Sequence, residues 1–137
     1  APSPFLEEYA VNTDRNSRFA HRRLNVYRDS LELFRGVEEV AAGFPAGYAD
    51  LKDQVRRAAS AVVRHVAEGA NRVHARDKAA RFMVARGEVG ECDAALEMVG
   101  IVGLAPPARL DGLRQLADRI AAMLWGLVRR EQSRAGP

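Results

Sequence analysis

At 137 residues, 47% of them hydrophobic and 28% charged, the chain has enough apolar material for one core and too much for a disordered protein. A net charge of +3 permits a polyanionic partner without demanding one. Cys92 is the only cysteine, which excludes an internal disulfide and any cysteine-based metal cluster.

Residues 1 to about 21 read as an extended leader. Pro2, Pro4 and the polar run Asn12-Thr13-Asp14-Arg15-Asn16-Ser17 oppose a stable helix. Phe5, Leu6, Tyr9, Val11 and Phe19 nevertheless give the leader something to bury, along the bundle or across to a neighbouring subunit. The N-terminal residues offer neither a basic start nor an apolar stretch, and no apolar run approaches ~20 residues. The expectation is a soluble, cytoplasmic protein with no membrane partner.

A first helix is predicted over about Arg22–Ala42. Leu24, Tyr27, Leu31, Phe34 and Ala41 form one apolar stripe at helical spacing, and Val26, Leu33, Val37 and Val40 form another. Gly43-Phe44-Pro45-Ala46-Gly47 stops it. The second helix, about Tyr48–Ala70, carries Leu51, Val55, Ala58, Val62 and Val66 on its inner face. The third runs about Ala75–Val102. The fourth starts at Pro106-Pro107 and runs to about Arg130, with Leu110, Leu113, Ala117, Ile120, Leu124 and Leu127 inward. Short connections make neighbours antiparallel, so the predicted architecture is an all-α, up-down-up-down four-helix bundle over 22–132, with a short tail at 133–137.

The third helix has more apolar surface than one core needs. Phe82, Ala85, Val89, Cys92, Leu96 and Val99 make one stripe; Ala79, Met83, Gly87, Gly90, Ala94, Met98 and Ile101 make a second. Each mid-helix glycine costs about 1 kcal/mol relative to alanine, a cost that close approach of another helix would offset. That helix belongs either to the same chain or to another subunit. Trp125 lies with Asp118, Ala122 and Arg129 on a semi-polar face of the fourth helix, as an interface anchor or as a lid over the core edge. Gly87, Gly90, Ala94, Met98 and Trp125 are therefore the expected contacts of a homo-oligomer.

Lysine occurs only at Lys52 and Lys78, leaving 19 arginines among the 21 basic residues. Arginine suits bidentate phosphate contacts, although GC-rich codon usage produces the same bias. Arg57, Arg64 and Arg72, with Arg56 at the edge, recur at spacings of seven and eight along one flank of the second helix. Either they follow a phosphate backbone, or they form a solvated face with Glu68 paired to Arg64 and Arg72 at i±4. A second cluster joins Arg15, Arg18, His21, Arg22 and Arg23; a third joins Arg129, Arg130 and Arg134. Phe19 within the second suits single-strand stacking or docking of the leader. No catalytic constellation stands out. No glutamate has histidine three residues later, as a di-iron bundle requires. His65 with Glu68 lacks the further ligands of a metal site, and the carboxylate pair Glu88 and Glu91 sits among Arg81, Arg86 and the polar edge of the third helix. Neither metal nor cofactor is expected.

The run Gln54-Val55-Arg56-Arg57-Ala58-Ala59, followed by Val66-Ala67-Glu68-Gly69-Ala70-Asn71-Arg72, resembles a family signature of the form Q-I-R-R-A-A-x-S-I-P-x-N-I-A-E-G-x-x-R. The chain is similar over about 24–130 to the four-helix-bundle proteins encoded in intervening sequences of bacterial 23S rRNA genes. A divergent relative is the accessory protein of diversity-generating retroelements. Phe44-Pro45, Tyr27, Phe82 and the Gly87, Glu91, Leu96 spacing extend the likeness. Where the family has Ser-Ile-Pro-x-Asn, this chain has Ala61-Val62-Val63-Arg64-His65, losing a proline and gaining an arginine. The resemblance implies a non-enzymatic homo-oligomer, pentameric by analogy. It further implies RNA or DNA as a partner, and a reverse transcriptase or ribosomal component as a protein partner. The alternative function is an oligomeric protein–protein adaptor or scaffold.

Overall fold

A computed structural model describes residues 17–137. A short 3-10 turn at Ala20–Arg23 precedes four helices: α1 (Asn25–Ala42), α2 (Ala49–Asn71), α3 (Ala75–Ile101) and α4 (Pro107–Ala135). Each helix packs on its sequence neighbours and α4 closes back on α1, with no diagonal contacts. This is the up-down-up-down bundle expected, and the described residues contain no strand. The leader prediction at residues 1–16 lies outside the described residues.

Local chemistry sets the boundaries. Pro107 occupies the first turn of α4, where its missing N–H is not needed. Gly103, at φ +73°, ends α3: Leu104 N–H donates to Val99 O and Gly103 N–H to Gly100 O, both at 3.1 Å. The C-terminus of α2 is covered from outside, with Lys78 Nζ donating to Ala70 O at 2.7 Å and Gly69 O at 3.3 Å. Valine at position 63 leaves α2 unbroken where the family signature has proline.

Two helix ends differ from the sequence expectation. The first helix begins at Asn25 rather than Arg22, because Ala20–Arg23 turn separately and Leu24 is extended. The fourth continues to Ala135 rather than Arg130. Its added turn buries Glu131, which Arg134 meets at 3.2 Å.

The core is contiguous and mostly aliphatic, with Leu33, Val62, Leu96, Ile120 and Leu124 fully buried. In α1 the Val26, Leu33, Val37, Val40 stripe faces it; Tyr27 and Phe34, with Leu24 just before the helix, stay half-buried beside it. In α4 Val128 is buried and Leu127 partly so. The predicted inner stripe of α3, from Phe82 to Val99, is buried throughout. Gly69 lets α2 approach α3 closely: a Cβ there would lie 2.7 Å from the Phe82 ring.

Candidate nucleic-acid interface

The bundle divides the six arginines expected to bind phosphate into two groups. Arg56, Arg57 and Arg64 project from the flank of α2, all exposed. Arg56 Nε donates to Glu38 Oε1 of α1 at 2.8 Å, and that hydrogen bond raises the arginine's pKa. Arg64 Nε donates to Ser60 Oγ at 3.3 Å. Arg57, Arg64 and His65 line one wall of an open groove of about 560 Å³, and Glu88 and Glu91 of α3 line the other. Burial, together with a hydrogen bond and repulsion from Glu91, pushes the Glu88 carboxyl upward against the pull of His65 and Arg64. The flank is thus mixed in charge, and a phosphate there would compete with two carboxylates. Glu68 pairs with His65 Nδ1 at 3.3 Å and with Arg81 at 3.7 Å across the α2–α3 seam, not with Arg64 or Arg72.

Arg22, Arg23 and Arg72 sit elsewhere, at the end of the bundle where α1 and α3 begin and α2 and α4 finish. The link is Asn71. Its Oδ1 accepts the Ala20 N–H at 3.0 Å, and its Nδ2 donates to Ala67 O at 2.8 Å and to His21 Nδ1 at 2.7 Å. The 3-10 turn, with its basic residues, is thereby docked on the last turn of α2. The N-terminal turns of α3 and the C-terminus of α4 meet at the same end, where Arg76, Ala79 and Met83 share a recess with Gln132 and Ala135. Up-down topology therefore draws together Arg18, Arg22, Arg23, Arg28, Arg72, Arg76, Arg129 and Arg130, none of which pairs with a carboxylate of the described residues. The opposite end holds Glu38, Glu39, Asp50, Asp53, Asp93, Glu97 and Asp111.

Elsewhere arginines tie helices together. Arg109 reaches Glu39 at 2.7 Å, Arg119 reaches Asp29 at 3.3 Å, and Arg114 grips Asp93 bidentately at 2.9 and 3.1 Å and Glu97 at 2.9 Å. Those carboxylates push the Arg114 pKa up. Antiparallel helices cancel one another's dipoles, so the positive end rests on side chains alone. Spacing along one helix could not reveal this gathering. Its sequence signal is alternation: basic runs at 18–23, 72–81 and 129–134, acidic residues around 38–39, 50–53 and 93–97, each set falling at one end once the chain reverses three times.

The residues expected to meet another helix form an open face. Gly87, Gly90, Ala94 and Met98 are exposed, Met98 at 48%, and a Cβ added at either glycine would meet nothing within 4 Å. No helix of the described chain covers them, although Ala79, the first member of the stripe, is buried. Met83 and Ile101 extend the apolar face along α3. Trp125, 42% exposed, lies beside it, with the Arg86 guanidinium 5.4 Å from the ring centroid.

Reactive chemistry is sparse. Among the described residues no three His, Cys, Asp or Glu side chains converge as a metal site requires. Cys92 is fully buried, and burial and Asp93 push its thiol up to about 12, far from a nucleophile. No described helix is long and apolar enough to cross a membrane. The model of the 23S rRNA-intervening sequence protein family matches residues 22–126, nearly the whole bundle. The chain belongs to this family. No curated protein matches it significantly. The matched span includes the α2 arginines, the α3 face and the start of the basic end, and stops before Arg129 and Arg130.

Proposed function

We propose that this member of the 23S rRNA-intervening sequence protein family is a non-catalytic, homo-oligomeric accessory protein that binds nucleic acid, RNA foremost, through its basic end. The observation carrying the reading is the gathering of eight arginines without carboxylate partners among the described residues at one end, whereas Arg56, Arg109, Arg114 and Arg119 are held in inter-helix ion pairs. Guanidinium–phosphate contacts give affinity with little sequence reading. The open glycine-bearing face of α3, with Met98 and Trp125 beside it, supports association of copies in a ring such as a pentamer. That same apolar face favours the second reading, an adaptor or scaffold for another protein.

The two readings separate by salt. Replacing Arg22, Arg72 and Arg76 by glutamine should weaken binding of a short RNA and lower the slope of log K against log salt by roughly 2, at ~0.7 per single-strand phosphate contact. Unchanged affinity would refute the assignment and favour the adaptor. Light scattering that finds a monomer at micromolar concentration would refute the oligomer.

A further inference from the structure

Phe19 is 58% exposed, yet it is not on a loose segment. Its carbonyl accepts the Arg22 N–H at 3.2 Å, and its own N–H donates to Ser17 Oγ at 3.2 Å. Arg23 Nη1 closes the other side on Ser17 O at 2.8 Å, and Asn71 clamps the next residue, Ala20, to α2. The ring meets that of His21, tilted, with centroids 5.7 Å apart; His21 in turn packs edge-on against Tyr27 at 4.6 Å. A large apolar ring is thus held out in water on a braced turn, backed by two further rings and flanked by Arg18, Arg22 and Arg23. Asn71 anchors the turn to α2 through Ala20 and His21, and Phe19 stays 58% exposed beside that anchor.

We infer that Phe19 is a base-stacking platform, so that the basic end takes single-stranded nucleic acid in preference to duplex. This rests on the nucleic-acid reading above and deepens it. An unpaired base offers both π-faces, and stacking on an aromatic side chain needs no particular base. A duplex keeps its faces stacked internally and offers the same arginines only phosphates. The arginines therefore set affinity and salt dependence, and Phe19 sets the choice of strand.

The test is anisotropy with the full chain, using a labelled 12-nucleotide single-stranded RNA, the same sequence as a duplex, and polyglutamate as a polyanion without bases. The wild type should prefer the single strand. Phe19→Ala should lose between about 5-fold and 100-fold for the single strand, with the salt slope and duplex affinity unchanged, and Phe19→Trp should retain the preference. Equal binding of single strand, duplex and polyglutamate, with Phe19→Ala harmless, would overturn the stacking role and leave the basic-end reading standing. Absence of binding to either RNA at low salt would overturn both. Because the ring is exposed, the substitution leaves the fold intact, which circular dichroism verifies.

Discussion

Replacing Gly87 and Gly90 by alanine together separates what α3 contributes to the protomer from what it contributes between protomers. Neither added methyl would meet an atom within 4 Å, so the change carries no steric cost inside the chain. Each replacement removes a mid-helix glycine, worth about 1 kcal/mol, and the pair should raise protomer stability by ~2 kcal/mol. For a chain of this size that is a rise in Tm of roughly 5–10 °C. If copies of the protein press small-residue faces together, the same methyls hold the helices apart and weaken the assembly. The double variant should therefore be the more stable protomer and the weaker oligomer. Urea unfolding over a hundredfold range of protein concentration reads both effects, because association makes the midpoint depend on concentration. A protomer destabilised by the substitutions would refute the claim that this face is open within the chain. A double variant that assembles as tightly as the wild type would refute close approach at these glycines.

Gly69→Ala should behave in the opposite way. Its Cβ would sit 2.7 Å from Cδ1 and Cε1 of Phe82, a ring 2% exposed, and overpacking of about 1–3 kcal/mol outweighs the helix-propensity gain of about 1 kcal/mol. A net loss of about 1 kcal/mol, seen as a lower urea midpoint with unchanged slope, is expected; a gain in stability would contradict the α2–α3 packing described. The Asn71 latch should weaken in acid. Burial and Arg22 lower the His21 pKa, so the folded chain holds the proton less well than the unfolded chain does. The latch therefore contributes fully above the ordinary histidine value of about 6.5 and fades as pH falls through the lower folded value. Protonated Nδ1 could no longer accept from Asn71, and the protection of the Ala20 amide against hydrogen exchange, taken relative to the intrinsic rate at each pH, should fall between pH 7.5 and 5. Unaltered protection would show that the histidine does not hold the turn.

The helices were legible because apolar spacing and stop signals agree at each boundary, as at Gly43 to Gly47 and Pro107. The start of α1 was not, since Leu24 belongs to an apolar stripe whose period gives no hint of the extended residue that breaks it. Interactions within one helix were also a poor guide to ion pairs. The i±4 rule offered Arg64 and Arg72 to Glu68, whereas the rotation of α2 against α3 brings Arg81 instead. Glu38 claims Arg56 for the same reason, from 18 positions away. A row of like charges on one helix becomes a surface only after the neighbouring helices have taken the members they can reach.

That sorting ties the two proposed surfaces together. The α3 face runs along the bundle, from Met83 to Ile101, whereas the basic residues lie at its end. Lateral packing through α3 would leave the end uncovered. In a closed cyclic ring every copy is related to the next by rotation about one axis, so each copy's basic end would fall at the same height on one rim. A single strand crossing that rim would meet several copies in succession, each additional contact being intramolecular and favoured by a high local concentration. A modest contact per protomer, built from a few arginines and one exposed ring, would then suffice for tight binding by such an assembly, with no deep pocket needed in any one copy.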